Sequence, residues 1–490
     1  MTTATTTAAR VREQVGHPIV DADGHFVEIG PLLHDEVLAY VEEAGGAALR
    51  DRFLTQAASF DTSSSLADRS DPSVRERWRA MPSWWGWQTA NVRDRATAHL
   101  PALLYERLDE LGIDFTILYP SMALGYFEVA DEELSSVLCR AVNRYHARLF
   151  EPYRDRCTVG ALVPMNTPEQ AVAEAEYAVR ELGAKSLLMA GYARRPIGTD
   201  AYRLDMFGLD SDHDYDPFWR ACIDLGVAPV VHSALQGHRV TRSISNYVYN
   251  HVNGLASAHE SLCKSLFLAG VTARFPELRV GFLEGGVAWA CALFAGLVGH
   301  WDKRNREAIV ELDPDRLDVD ALMGWFRDYG DDAVTSRLDE LHAYFSRPAA
   351  RPAQVDEFAA CRIGRVEDLR TRFEPNFYFG CEADDPLVAW AFRDDVNPLG
   401  ARLRPILGSD ISHWDVRDMT EPVAEAYELV EHGVITERDF RDLTFVNPVR
   451  MHAGANPDFF AGTVCERAAS AALAAAGDGS GDGSGDGSGA

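Results

Sequence analysis

The chain has 490 residues, of which 47% are hydrophobic and 25% charged, and this composition is typical of a folded globular protein rather than a disordered or fibrous one. Asp and Glu number 75 against 47 Lys and Arg, which gives a formal net charge of −28. A field of this sign repels phosphate backbones and anionic lipid surfaces, and we therefore expect neither nucleic-acid nor membrane binding.

Both ends of the chain lack the patterns of packed structure. Residues 1–12 contain no apolar run of the kind found in secretory signals, and we expect a flexible N-terminus there. Residues 475–490 are rich in Gly, Ser and Asp and predict a disordered tail. The eight cysteines form no C-x-x-C pair and mostly stand in apolar runs, which indicates reduced, buried thiols and a cytoplasmic protein.

Eight short apolar runs rich in β-branched residues recur along the chain, each followed by a longer helical pattern. They are residues 17–25, 114–120, 157–164, 184–190, 228–233, 278–286, 377–383 and 403–410. Strands that alternate with helices form parallel βαβ units, and eight of them predict an α/β fold of the (β/α)8 TIM-barrel type. An open, doubly wound sheet is the competing arrangement, but no G-x-G-x-x-G turn follows the first strand. We expect one barrel domain over residues 13–465.

Three connections are longer than ordinary barrel loops. They are residues 31–113, 191–227 and 300–376, after predicted strands 1, 4 and 6. Loops that follow strands emerge at the face where barrel active sites lie, and we expect helical insertions that form a lid over a roomy pocket. Trp78, Trp84, Trp85 and Trp87 lie in the first insertion. We interpret them either as the lining of a site for a bulky apolar substrate or as anchors of the insertion.

Polar side chains end four of the predicted strands. Strand 1 carries Asp21, Asp23 and His25 at period two, and strands 5, 6 and 8 end at His232, Glu284 and Asp410. Charged groups are costly at the ends of apolar strands unless they are paired or metal-bound, and barrel strand ends converge on one small volume. The pattern therefore predicts a metal site.

Each of these residues also has an ordinary structural interpretation when it is taken alone. Asp410 suits a helix N-cap, His232 a satisfied core histidine, and Asp21 a structural role deeper in the barrel. Two further candidate ligands are Glu28, in the loop after strand 1, and His259, near the start of the helix after strand 5.

At these residues the chain resembles the amidohydrolase-like metal-dependent barrels, in the branch that includes aromatic-acid decarboxylases. D-A-D-G-H (21–25) stands where that family has H-x-H, so Asp23 and His25 match two ligand positions, and His232 matches the histidine of strand 5. Residues 274–286 and 408–415 resemble the family's strand 6 and strand 8 motifs. The chain departs from the family in that Asp23 replaces the first histidine and Glu284 replaces the histidine usual in the hydrolases.

The two extra carboxylates suit iron or manganese better than zinc. The candidate ligands comprise four carboxylates and three imidazoles: Asp23, His25, Glu28, His232, His259, Glu284 and Asp410. Four negative charges neutralise two divalent ions, whereas one ion would leave buried charge uncompensated. In this respect the chain resembles the TIM-barrel nonheme di-iron monooxygenases of the kind that acts in platensimycin and platencin biosynthesis.

That resemblance implies two Fe ions, O2 as co-substrate, and hydroxylation of an unactivated C–H bond. The implied substrate is bulky, apolar, of diterpenoid type and linked to coenzyme A, as in antibiotic biosynthesis, and the electrons would come from a donor protein or a reductant. His413 and Glu382 would support the ligands or relay protons. For His413 a simple turn hydrogen bond is equally open, and for Glu382 a place in a solvated acidic turn. Residues assigned to substrate and CoA binding are Trp84, Trp85, Trp87, Arg239 and Arg242.

Two other functions remain open from the sequence. One is a metal-dependent hydrolase or nonoxidative decarboxylase on the same barrel, in which one zinc or manganese ion activates water or polarises a carboxylate. The other is a noncatalytic binding protein, against which the full set of strand-end ligands argues. Large barrels of this type often dimerise, and a homodimer stays open.

Overall fold

A computed structural model describes residues 6–60, 72–76, 78, 80–86, 88–129, 131–198, 201–232 and 242–478. Its strands are β1 (Val20–Phe26), β2 (Phe115–Pro120), β3 (Cys157–Val163), β4 (Ser186–Met189), β5 (Ala193–Ile197), β6 (Ala201–Asp205), β7 (Pro229–Val231), β8 (Val280–Phe282), β9 (Phe377–Glu382) and β10 (Arg404–Gly408). Eight of them form one sheet in the order β1-β2-β3-β4-β7-β8-β9-β10, and every neighbouring pair in that order is parallel.

The sheet curls into a nearly closed barrel, because backbone hydrogen bonds also join its two edges. The amide of His25 donates to the carbonyl of Ile411, and the amide of Asp410 donates to the carbonyl of Asp23, each at 2.9 Å. The predicted (β/α)8 barrel is thus confirmed, and all eight predicted strands lie in its wall.

Helices connect the strands and cover the outside of the barrel. The α-helices are Thr7–Gln14, Gly30–Phe60, Pro72–Glu76, Val92–His99, Pro101–Arg107, Glu132–Phe150, Pro168–Arg180, Asp216–Asp224, Tyr247–His251, Gly254–Leu268, Val271–Arg274, Ala288–Arg304, Val319–Tyr329, Asp332–Thr335, Leu338–Phe345, Glu367–Phe373, Val388–Phe392, Pro422–Glu431, Glu437–Arg441, Asn447–His452 and Glu466–Asp478. A π-helical turn, Asp442–Val446, joins two of them. Among the described residues, no helix is both long and apolar enough to cross a bilayer.

Alternating strand residues divide the apolar core into two layers. Ile117 and Tyr119 of β2 and Leu188 of β4 pack in one cluster, whereas Leu118, Leu187 and Met189 pack in the other. This is the period of two expected for strands that are buried on both faces. All eight cysteines are buried and none is in a disulfide, as the sequence predicts.

Three elements differ from the predicted organisation. Thr7–Gln14 lies in the stretch expected to be flexible, yet it is helical, is capped by the Thr6 hydroxyl and buries Ala8 and Val11. The insertion after β4 begins with an antiparallel hairpin of β5 and β6 rather than with a helix. The expected tail starts inside the helix Glu466–Asp478, and residues 479–490 lie outside the described part of the chain.

Candidate metal centre

The carboxyl ends of four barrel strands bring acidic and imidazole side chains into one buried volume. Ligand atoms of His25, Glu284, Asp410 and His413 lie within 4.8 Å of one another, and those of Asp23, His25 and His232 form a second such group. Each of these six residues is at most 8% exposed. We call the six residues together the acid–imidazole cluster.

The distances inside the acid–imidazole cluster are short. His25 Nε2 lies 3.0 Å from Asp410 Oδ1 and 4.0 Å from Asp23 Oδ1. His232 Nε2 lies 2.9 Å from Glu284 Oε2, and the rings of His25 and His232 are 5.0 Å apart at nearly right angles. The strand-end residues therefore converge as the sequence pattern predicts.

Several polar atoms of the cluster are buried without a hydrogen-bond partner among the described residues. They are Asp23 Oδ1, His25 Nε2, both ring nitrogens of His232 and Asp410 Oδ1. Unpartnered buried polar atoms are rare in folded proteins and call for an unseen partner such as an ion. Carboxylate oxygens together with imidazole nitrogens are ligands for Mn²⁺, Fe²⁺ and Zn²⁺, so the residues present fit a divalent cation.

Local backbone geometry positions the carboxylates. In β1 the pairing register shifts between Asp21 and Gly24, where the strand delivers Asp23 and His25. Glu284 and Asp410 adopt left-handed φ angles of 55° and 49°, which cost a residue with a Cβ about 1–3 kcal/mol. Such strain is commonly found at functional sites, where the surrounding structure maintains it.

Crowding perturbs the ionisation of these groups when no cation is bound. Burial, together with Asp410 and Glu284, raises the pKa of Asp23 well above its usual range. Burial, with His413 and His232, lowers the pKa of His25 well below its usual range. A carboxyl and an imidazole that both favour their neutral forms indicate a dry site in which burial opposes charge, and a divalent ion would favour the ionised form of the carboxyl.

Glu284 and His413 behave in the opposite way. Although burial opposes ionisation, His413 and the nearby imidazoles of His232 and His251 hold the pKa of Glu284 well below its usual range. Burial also opposes the charge on His413, but Asp410 and Glu284 raise the pKa of this imidazole well above its ordinary value. Without a cation, these interactions favour the ionised form of Glu284 and the protonated form of His413.

Two residues at the mouth of the cluster complete a network that the sequence analysis did not assign. His413 Nδ1 lies 2.8 Å from Asp410 Oδ2 and 2.9 Å from Asp415 Oδ1. His251 Nε2 lies 3.6 Å from Glu284 Oε1 and 3.8 Å from Asp415 Oδ2. Asp415 is the last residue of the strand 8 motif at residues 408–415, so that motif could have identified it as a candidate site residue. His251 comes from a short helix in a loop, and no spacing rule singles it out.

Aromatic side chains from three loops cover the cluster, and we call Trp85, Tyr247 and Trp414 the aromatic roof. The Trp85 indole donates to the carbonyl of Trp414 at 3.3 Å, and the Trp414 indole donates to the Tyr247 hydroxyl at 2.7 Å. Tyr247 also stacks on His251 with 5.3 Å between ring centroids. The roof therefore joins the insertion after β1 to the loops after β7 and β10.

Two predicted ligands, Glu28 and His259, belong to neither ligand group. Glu28 Oε2 accepts a hydrogen bond from the amide of Met122 at 2.9 Å, and Glu28 Oε1 lies 3.3 Å from His146 Nε2. The Nε2 of His259 donates to the carbonyl of Leu283 at 2.7 Å, which supports the turn before Glu284. Both residues lie beyond the strand ends, so barrel geometry does not direct their side chains into the site.

Of the remaining predicted residues, those that the structure describes lie around the rim. Desolvation and the charges of Asp410 and Glu284 raise the pKa of Glu382, at the end of β9, to about 8. Trp84 is 77% exposed beside Trp85. The carbonyl of Arg242 accepts from the Trp78 indole, whereas Trp87 and Arg239 lie outside the described residues.

Comparison with known proteins identifies a family that matches most of the barrel. A family model described as "Amidohydrolase" matches residues 20–317, which is more than half of the chain. A gamma-resorcylate decarboxylase of Polaromonas sp. is 25% identical over 188 residues, a match that covers 38% of this chain and 50% of the relative. The matched region thus spans about half the length of that curated relative.

The solved structures to which the chain is similar include an amidohydrolase and a decarboxylase. An amidohydrolase from Mycobacterium avium subsp. paratuberculosis K-10 is 18% identical, with a TM-score of 0.47 over 74% of this chain and 76% of that one. A dihydroxybenzoic acid decarboxylase from Polaromonas sp. JS666, with bound manganese and 2-nitroresorcinol, is 17% identical, with a TM-score of 0.46 over 89% and 97%. These comparisons do not show the expected link to di-iron monooxygenases.

Proposed function

The chain belongs to the amidohydrolase family, and we propose that it is a metal-dependent enzyme that removes the carboxyl group of an aromatic acid without oxidation. The observation that carries the proposal is that Asp23, His25, His232 and Asp410 belong to two overlapping ligand groups and carry buried polar atoms with no hydrogen-bond partner among the described residues. Support comes from the relatives, one of which is a gamma-resorcylate decarboxylase and another a manganese-bound decarboxylase. The aromatic roof fits a planar substrate.

A divalent cation, with manganese favoured by the carboxylate content, would be held by Asp23, His25, His232 and Asp410. When bound, it would supply a fixed positive charge that attracts the oxygens of the substrate and stabilises negative charge on them. Asp23 and Asp410 would neutralise the charge of that cation, and the two imidazoles would be its further ligands.

Proton handling falls to residues beside the ligands. His413 Nδ1 lies between Asp410 and Asp415 and holds its proton there. Loss of CO2 requires one proton to replace it on the ring carbon, and Glu284 Oε1 and His251 Nε2 form a pair that can hold this proton. A substrate bound under the aromatic roof would displace water, which would strengthen the electrostatic interactions below it.

The test is anaerobic incubation of the manganese-loaded protein with a panel of hydroxybenzoic acids, with release of CO2 as the measurement. We expect turnover that Asp410→Asn abolishes and that Asp384→Asn, a matched change of an exposed carboxylate, preserves. Release of an amine or alcohol from ester or amide substrates, with no CO2 from any acid, would replace decarboxylation by hydrolysis.

A second candidate function, nonheme di-iron hydroxylation, is favoured by one observation. The two ligand groups share His25, so the cluster offers two adjoining sets of ligand atoms. One of these sets includes the carboxylate of Glu284 beside two imidazoles. On this hypothesis two Fe ions and O2 act on a CoA-linked substrate, with electrons from a partner. Two irons per chain with consumption of O2 would support it, and one metal ion per chain with anaerobic turnover would eliminate it.

A further inference from the structure

Glu28 and His146 form a buried acid–imidazole pair next to the acid–imidazole cluster but outside it. Their side chains are 0% and 3% exposed, and 3.3 Å separates Glu28 Oε1 from His146 Nε2. Two ionisable side chains are expensive to bury together, and such a pair is a poor way to gain stability. Its position therefore calls for an explanation other than stability alone.

The pair fixes the loop that follows β2. Glu28 Oε2 accepts from the amide of Met122 at 2.9 Å, and the amide of the preceding residue, Ser121, donates to the carbonyl of Phe26 at 3.1 Å. The segments that follow β1 and β2 are thus joined at two successive amides. Because His146 lies on the long helix Glu132–Phe150, its 3.3 Å approach to Glu28 also places this loop against the outer layer of the barrel.

Ser121 in turn contacts a residue of the cluster. Its hydroxyl lies 3.4 Å from His25 Nδ1, whereas His25 Nε2 has no hydrogen-bond partner among the described residues and lies 3.0 Å from Asp410 Oδ1. A hydrogen bond to one ring nitrogen fixes both the ring orientation and the nitrogen that is left for a metal. Ser121 therefore directs Nε2 of His25 toward the other ligands.

We propose that Glu28 and His146 are positioning residues that hold Ser121 in place and thereby present His25 Nε2 to the metal ion. This inference rests on the metal site of the proposed function and gives Glu28 a role through His25 as the alternative to its predicted role as a ligand. The loop after β2 thus takes part in ligand geometry although none of its side chains belongs to either ligand group.

The experiment measures binding of Mn²⁺ to the metal-free full-length protein by titration calorimetry, with the unfolding midpoint recorded for each variant. Ser121→Ala removes the partner of His25 and leaves Glu28 in place, and we expect Mn²⁺ affinity to fall about 10–100-fold. Glu28→Ala should lower affinity to a similar extent, while Glu28→Gln, which keeps an acceptor for the Met122 amide, should restore most of it. The matched control is Ser135→Ala, a buried serine on the helix Glu132–Phe150, and it should bind like the wild type.

The outcomes separate this inference from the proposed function. A wild-type protein that binds no divalent metal would overturn the metal site itself. A wild-type protein that binds Mn²⁺ together with a Ser121→Ala variant of equal affinity would overturn only the positioning role. If Glu28→Ala does not fold, Ser121→Ala and Glu28→Gln carry the test, and equal losses of affinity in Glu28→Gln and Ser121→Ala would count against the proposed part of Glu28.

Discussion

Gly380 in β9 lies directly against the turn that carries Glu284, and an added methyl group there tests whether this packing positions the carboxylate. The carbonyl of Gly380 accepts from the amide of Gly286 at 2.9 Å. A Cβ at position 380 would lie 2.9 Å from Leu283 Cα and 3.0 Å from the amide nitrogen of Glu284. Since ordinary contacts begin near 3.4 Å, the backbone at residues 283–284 must move by about 0.5 Å.

Both neighbours are backbone atoms, so no side chain can rotate out of the way. Overpacking of this kind costs about 1–3 kcal/mol in the free energy of unfolding. Displacement of a catalytic group by about 1 Å costs roughly 100-fold in rate, and we expect about a tenfold loss from half that shift. Gly380→Ala should therefore lower both the free energy of unfolding and kcat/KM for decarboxylation.

The assay is urea unfolding followed by tryptophan fluorescence, together with the rate of CO2 release. Gly296→Ala is the control, because a Cβ at this position of the helix Ala288–Arg304 meets nothing within 4 Å. It should preserve activity and gain up to about 1 kcal/mol of stability. A Gly380→Ala variant with the stability and activity of the wild type would refute the argument that β9 holds Glu284 in place.

Three further outcomes follow from the same structure. Burial lowers the pKa of His452 from 6.5 to about 3, so the unfolded chain takes up a proton below pH 6.5 that the folded chain does not, and stability falls as the pH falls. At pH 5 this group lowers the free energy of unfolding by about 2 kcal/mol. Between pH 7 and pH 5, urea unfolding of His452→Phe should therefore show a loss of stability that is smaller than that of the wild type by this amount. Equal losses in the two proteins would exclude the mechanism. Chelation of divalent metal should lower the thermal midpoint, since Asp23 and Asp410 then face each other without a cation, and Mn²⁺ but not Na⁺ should restore it in differential scanning fluorimetry. Trp85→Ala should raise KM for the acid that the wild type decarboxylates, because the roof loses its hydrogen bond to Trp414, and steady-state kinetics with an unchanged KM would show that the roof does not contact substrate.

The barrel strands could be predicted because each is an apolar run between turn residues, and a central strand buried on both faces must have this composition. The hairpin of β5 and β6 could not, since A-R-R-P-I and A-Y-R-L-D are polar and one contains proline. The helix Thr7–Gln14 was also missed, because it buries little beyond Ala8 and Val11 and its sequence carries few apolar residues.

The residues of the candidate site also include some that the sequence predicts and others that it does not. Asp23, His25, His232 and Asp410 were predicted to meet because barrel topology brings strand ends together whatever the loops do. The direction of Glu28 depends on a loop, and that of His259 on the rotation of a helix, which the sequence pattern does not specify. The positions of His251 and Asp415 depend on loop conformation as well, and only coordinates bring them to Glu284 and His413.

The left-handed backbone of Glu284 and Asp410 has a consequence for how the sequence can drift. Glycine adopts this conformation without strain. If only stability mattered, glycine at each of the two positions would therefore raise the free energy of unfolding by about 1 kcal/mol or more. The chain instead keeps an acid at each position. Two acidic residues in a strained conformation within one pocket indicate that the function of their carboxylates outweighs the stability that they cost.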